Sequence, residues 1–459
     1  MTVKSLDKYV CVIASILFLS VVSGTVDAAE QDFFDIYSLE VEGEIFDFLA
    51  DDFDGDGLND IAVIYSPASD LDSRYVGLYL QEVQAGFRAN ADYLGMLPQT
   101  AAQIGAADLD GDGMAEIILV DSDGVSMMDL VASSGLSTPV RIVRQKTIFS
   151  FPLFGGIVSD PFLHDINGIP GPEIIIPTPR GYVIFERGDD GVYQILNQLS
   201  APIICRNSDR DLKSFSRQRK VNLNVSLATI RVHDGNLDGR NDLYFLWDRR
   251  LCCYFQDSTG NFSEAPDVQL DFYPANADGF IQSRLIDLNG DRRPDATVSY
   301  TSGGITSAET KIRFYIADAG GRIGSQFRKE ITLSDSHCNL FIDDFNADGS
   351  PELAVPAIEL GALAATKMFL MKNSDIHLLV YPFENGVPDD EPTQRMKYGF
   401  RFNFDDPQPA SEVAVDWSAD YTGDGLYDLV FSDGKGKLQF FWGNSDEYLS
   451  KKSDLEIPL

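Results

Sequence analysis

The stretch DDFDGDGLNDIAVIY, residues 51–65, sets four carboxylates (Asp52, Asp54, Asp56 and Asp60) within nine residues and follows them at once with an apolar run. The chain of 459 residues already carries a formal net charge of -35, from 71 Asp and Glu against 36 Lys and Arg. Like charges at such spacing repel unless a cation neutralises them. A field of this sign also repels nucleic acid and anionic membrane surfaces while attracting cations, so nucleic-acid binding is not expected.

The stretch recurs. DLDGDGMAEIILV starts at Asp108, DINGIPGPEIIIP at Asp165, DGNLDGRNDLYFLW at Asp234, DLNGDRRPDATVSY at Asp287, DFNADGSPELAVP at Asp344 and DYTGDGLYDLVFS at Asp420. Counting from Asp52, the seven starts are separated by 56, 57, 69, 53, 57 and 76 residues. Such a period across most of a chain is the mark of a repeat architecture. Each copy is preceded by a short strand-like segment such as EIFDFLA or EVAVDW, and followed by a β-rich run such as IAVIY, LYFLW or LVFS. Further strand candidates (YVGLYLQE, GYVIFER, KIRFYIA, KLQFFWG) alternate with Gly, Asn, Asp and Ser turn signals. A unit of this length has room for about four strands. The expected fold is all-β, a seven-bladed propeller of four-stranded antiparallel blades. The N-terminal strand candidate FFDIYSLEVE is expected to pair with the last blade and close the ring. The two longer intervals place insertions at about 205–224 and 381–411, where loops available for binding are expected.

Numbered from its first Asp, the pattern of the acidic loops is D-x-D/N-x-D-G-x-x-D/E, complete in four copies. Oxygen donors at positions one, three, five and nine suit Ca²⁺, which takes six to eight oxygens at roughly 2.3–2.6 Å. Gly at position six supplies the positive φ that folds the chain round an ion. Mg²⁺ suits the loop less well, because it demands octahedral geometry and keeps its waters. An EF-hand would place a bidentate Glu at position twelve and continue into a helix. Here position twelve is apolar (Val63, Leu119, Phe431) and a strand follows.

With that spacing the chain resembles the FG-GAP/VCBS repeat proteins over roughly residues 40–450. The resemblance implies an integrin-α-like propeller with a calcium loop joining the first two strands of each blade. The metal ligands expected in the complete copies are Asp52, Asp54, Asp56 and Asp60; Asp108, Asp110, Asp112 and Glu116; Asp234, Asn236, Asp238 and Asp242; and Asp344, Asn346, Asp348 and Glu352. The fifth copy offers Asp287, Asn289, Asp291 and Asp295 but has Arg292 at position six, and the seventh offers Asp420, Thr422, Asp424 and Asp428. The third keeps Asp165, Asn167 and Glu173 but has Ile169 and Pro170 at positions five and six, so it is expected to hold no ion.

Residues 1–28 read as a signal peptide: Lys4 and Lys8 precede the apolar segment at 9–24, and small residues suited to cleavage follow. The mature chain from residue 30 is expected to be one exported domain, secreted or periplasmic, with no stable membrane insertion after cleavage. Cys205, Cys252, Cys253 and Cys338 remain, and they permit three pairings. No G-x-S-x-G elbow, phosphate-binding P-loop or H-E-x-x-H zinc site is present, and the four histidines are His164, His233, His337 and His377. The RGD tripeptide at 187–189 is expected in a hairpin turn and arises readily by chance in an Asp- and Gly-rich chain. Together these features point to a non-catalytic, calcium-stabilised binding, adhesion or scaffold module for an extracellular or periplasmic protein or glycan. The alternative is a polysaccharide lyase or hydrolase built on the same scaffold.

Overall fold

The computed structural model describes residues 37–458 except 71–72, 84, 132–133, 150–156, 160, 208–222, 275–276, 278, 304–306, 335, 339, 360–372, 402–414 and 433–436. The signal segment lies outside the described residues, as does most of the stretch 205–224. Every helix or strand element among the described residues is a strand. No described helix is long and apolar enough to cross a membrane.

The strands form blade-like antiparallel sheets, each built in chain order. The first joins Gly43–Asp51, Asp60–Pro67, Arg74–Tyr79 and Tyr93–Leu97; the second Gln103–Ala107, Glu116–Asp121, Gly124–Met128 and Val140–Arg144. The third joins Leu163–His164, Glu173–Thr178, Gly181–Arg187 and Tyr193–Leu199, and the fourth Thr229–His233, Asp242–Trp247, Arg250–Tyr254 and Val268–Asp271. The fifth joins Phe280–Ile286, Asp295–Ser302, Glu309–Tyr315 and Lys329–Ser334. In the sixth, Ser336–Cys338 and Phe341–Asp343 both pair with Glu352–Glu359, which leads to Asn373–Glu384 and Gln394–Arg401. The seventh joins Val415–Ala419, Asp428–Ser432, Lys437–Phe441 and Leu455–Pro458.

Within these sheets the second strand is buried on both faces, as in Glu173–Thr178 and Asp242–Trp247. That is why the runs after the acidic loops are continuously apolar instead of alternating. Outer strands such as Tyr193–Leu199 are only partly buried and carry polar residues.

The chain divides into two compact units, residues 1–232 with 254–266, and residues 233–253 with 267–459. In the first unit, Ile64, Val76 and Leu78 of the first sheet, with Phe53 of its acidic loop, pack against Ile104, Ile117, Leu119 and Met128 of the second. The other face of the second sheet, with Ile118, Val120 and Val125, meets Ile174, Ile176 and Val183 of the third. In the second unit, Ile312 and Phe314 pack with Leu353 and Val355. Ala354 and Val380 on the opposite face meet Trp417, Leu429 and Phe431. Each fully buried large aliphatic or aromatic side chain contributes about 1.5–3 kcal/mol relative to exposure.

Two expectations are modified among the described residues, and residues 33–36 of the N-terminal candidate lie outside them. Residues 37–42 of the N-terminal strand candidate form no strand; they lie along the first sheet, where Glu40 N–H donates to Ala89 O and Tyr79 Oη donates to Glu40 O. The outer strand of the seventh sheet is Leu455–Pro458. Of the stretch 381–411 read as an insertion, Gln394–Arg401 is a strand whose partners in Asn373–Glu384 run from Asn373 to Val380. The long interval therefore includes long regular strands, because sheet pairing satisfies the backbone of these residues. Residues 402–411 lie outside the described set.

Trp417 is 1% exposed, stacks on Phe345 at 4.0 Å between ring centroids and donates its indole N–H to Tyr427 O at 2.9 Å. Trp417→Ala is expected to cost about 3–5 kcal/mol, read as a lowered urea midpoint.

Candidate metal centres in the acidic loops

The acidic segments all lie between the first two strands of their sheets, and the register is shared. Asp51 pairs with Asp60, Ala107 with Glu116, His164 with Glu173, Ile286 with Asp295, Asp343 with Glu352 and Ala419 with Asp428. Position nine is thus the first residue of the second strand, opposite the residue that enters the loop. This register also accounts for His164, which precedes its loop. Its imidazole is held down at about 4, mainly by burial, and is therefore neutral near neutrality. The Nε2 of His233 lies 2.8 Å from Arg292 O, tying the start of the fourth loop to the fifth.

The position-nine carboxylate accepts the backbone N–H of position two in every copy. The donors are Phe53, Leu109, Ile166, Gly235, Leu288, Phe345 and Tyr421, at 2.7–3.1 Å. These seven carboxylates are 0–4% exposed. In three Asp copies the other oxygen takes a further N–H from beyond the third strand: Gln81 for Asp60, Ala317 for Asp295 and Gly443 for Asp428. Position two itself faces inward, with Phe53, Leu109, Ile166, Leu288 and Phe345 no more than 2% exposed. In the fourth loop Gly235 stands there, and a Cβ on it would collide with the Tyr244 hydroxyl, which fills the space instead.

The remaining donors form a common net. Outside the third loop, whose position six is Pro170 without an N–H, the position-one Asp accepts N–H groups from positions four or five with one oxygen and from position six with the other, as Asp52 does from Gly55 and Gly57 and Asp420 from Gly423 and Gly425. Two positions carry positive φ. Position six does in every copy but the third, as expected, including Arg292 at 66°; in the third, Pro170 stands at six and the positive φ falls on Gly171. Position four does too, occupied by Gly55, Gly111, Gly168, Gly290 and Gly423 but by Leu237 and Ala347 in the other two copies. The sequence reading missed both the second left-handed position and the buried position two. The recurrent Gly at four and the recurrent apolar residue at two were the available signals.

In the second loop, Asp108, Asp110, Asp112 and Glu116 each bring one carboxylate oxygen within 4.8 Å of the others. In the first, Asp52, Asp54 and Asp60 do so, while Asp56 lies outside that group. These are the two such carboxylate groups among the described residues. Hard oxygens converging in this way fit Ca²⁺. The other copies differ in what meets position five. Arg240 pairs with Asp238, and Arg293 lies 3.3 Å from Asp291. The Asn289 and Asn346 amides donate to Asp291 and Asp348. In the third loop the Asn167 amide donates to Glu173, supplying the positive dipole that an ion would otherwise provide.

Burial raises the position-nine acids, with neighbouring carboxylates adding to the effect against the lowering by backbone N–H donors. Asp60 and Asp295 are pushed up to about 6, Glu116 to about 7 and Glu352 to about 8. Glu173 and Asp428 rise in the same direction.

These features define an all-β chain of blade-like sheets with repeated acidic turns, two of which gather carboxylates that could hold a metal ion. Residues 52–119, from the first acidic loop into the second strand of the second sheet, match the model of the FG-GAP-like repeat. The chain thus carries an FG-GAP-like repeat at residues 52–119. No curated protein matches the sequence. Among solved structures, a lectin of Agrocybe aegerita that recognises non-reducing terminal N-acetylglucosamine is similar at 14% identity and a TM-score of 0.46, over 82% of this chain and 88% of that one. The Vibrio cholerae biofilm matrix protein Bap1 is similar at 12% identity and a TM-score of 0.31, over 90% and 68% respectively.

With ions removed, the raised acids of the folded chain keep protons that the unfolded chain has already lost between about pH 4 and 8. This contribution to stability is present at low pH and is lost as pH rises through the folded values. In chelator, the melting midpoint is expected to fall from pH 5 to pH 8, and Glu352→Gln to flatten that slope. Arg292→Gly, which removes a side chain from a left-handed backbone, is expected to stabilise the chelated protein by about 1 kcal/mol in urea unfolding.

Proposed function

We propose that this chain is an exported, calcium-stabilised seven-bladed β-propeller that captures an extracellular or periplasmic protein or glycan without turning it over. The observation that carries the reading is the convergence of carboxylate oxygens in the first two acidic loops, within a pattern that recurs along the chain. Asp52, Asp54 and Asp60, and Asp108, Asp110, Asp112 and Glu116, would hold the first two ions. Loops four to seven would contribute weaker sites through Asp234, Asn236, Asp238 and Asp242; Asp287, Asn289, Asp291 and Asp295; Asp344, Asn346, Asp348 and Glu352; and Asp420, Thr422, Asp424 and Asp428. Bound calcium supplies positive charge to acids that otherwise repel one another, and its role is structural. The loops spend their oxygens on the ion and on their own backbone, which suits a rigid platform better than a reacting centre. The export reading rests on residues 1–28.

The test is thermal unfolding of the mature chain in chelator and then across Ca²⁺ and Mg²⁺ titrations. Calcium should raise the midpoint, with stabilisation of about 2.7 kcal/mol per site at a hundredfold excess over Kd. The rise should be larger at pH 8 than at pH 5, because at low pH the cation must displace protons. Magnesium should do less. A midpoint indifferent to calcium would remove the reading.

A further inference from the structure

A cavity of about 460 Å³ opens beside the first acidic loop. This is within the roughly 300–1,000 Å³ typical of small-molecule sites. Asp54 and Asp56 form one wall. A second wall comes from Glu82, Arg88 and Asp92 in the connection between the third and fourth strands of the first sheet, and from Tyr93 at the start of the fourth.

The polar groups on that second wall are already oriented. Arg88 bridges Glu82 and Asp92, donating to Asp92 Oδ1 at 3.0 Å, while Asp92 Oδ2 accepts the Leu80 N–H at 3.0 Å. The wall is also tied to the loop, because Gln81 N–H donates to Asp60 Oδ1 at 2.8 Å. Asp56, left outside the group formed by Asp52, Asp54 and Asp60, lines the cavity. Tyr93 adds a ring and Leu80 an aliphatic surface. Val83 at the cavity is 75% exposed, an apolar group left in water.

The chemistry of this lining selects its ligand. Four carboxylates against one guanidinium repel anions. Arg88 answers Glu82 and Asp92, and the ion proposed for the first loop would answer Asp54, so in calcium one uncompensated carboxylate, Asp56, is left in the lining. Hydroxyl groups both donate and accept, and each can meet either a carboxylate oxygen or a guanidinium N–H. Tyr93, Leu80 and Val83 offer apolar surface for the C–H face of a ring. We propose that this cavity binds a neutral saccharide unit, gripped by Asp56, Arg88 and Glu82 and packed on Tyr93. The proposal rests on the binding-module reading and gives it a ligand class and a place.

The experiment is a binding screen of the mature chain by saturation-transfer NMR and calorimetry, in calcium and in chelator. The probes are methyl glycosides of glucose, galactose and mannose, with glucosamine and galacturonate as cationic and anionic comparators. At least one neutral glycoside should bind, with a Kd of about 1 mM or tighter. Arg88→Ala and Glu82→Gln, both at exposed side chains, should each weaken it about tenfold while leaving the calcium-dependent melting shift unchanged. Binding of no neutral glycoside, preference for either charged comparator, or affinity untouched by both variants would overturn the proposal. A melting shift without saccharide binding retains the calcium loops and rejects the cavity. Saccharide binding without a melting shift retains the cavity and rejects the calcium loops.

Discussion

The structure depends on a buried carboxylate at the first residue of each second strand that accepts the backbone N–H of the residue seven positions earlier. Burying a carboxylate with no partner costs several kcal/mol. Here the partner is an amide that the loop itself must otherwise leave unpaired. The bond closes the acidic turn, turns position two into the core and starts the second strand in one register. It is made even in the third loop, where positions five and six have lost their acid and glycine. The loop geometry therefore does not require a complete ligand set.

The copies then divide by what faces the remaining oxygens. Asp60, Asp295 and Asp428 have both oxygens engaged by backbone N–H groups. The longer Glu116 side chain joins the convergent group of the second loop. Arginines beside Asp238 and Asp291 and side-chain amides beside Asp291 and Asp348 provide positive charge or dipole from within the chain. Such partners compete with a cation for the same oxygens. The proposed calcium sites would accordingly form a graded series of affinities along the chain, without any change in fold.

The same bond network links a loop to its surroundings. Gln81 donates to Asp60 and begins the wall of the cavity that Asp54 and Asp56 close from the other side. In the proposed saccharide site, ordering the first loop would order that wall and so reduce the freedom that binding would otherwise have to remove.

The repeat, the all-β class, the strand runs and the loop acids were legible in the sequence, because backbone and side-chain demands there are local. Alternation, turn residues and the Gly at position six each speak for their own few residues. The sequence also showed that Arg292 sits where glycine is preferred, and its φ of 66° agrees. What only the tertiary structure decided involves residues far apart in the chain or groups common to every sequence. Backbone N–H groups are everywhere, so nothing marked Gln81, Ala317 or Gly443 as partners of Asp60, Asp295 and Asp428. The path of residues 37–42 along the first sheet, the strand at Gln394–Arg401, the separation of Asp56 from its neighbours and the cavity shared by residues 54 and 93 are likewise products of packing. Periodicity reports which face of a strand is buried, but not which distant group will meet it.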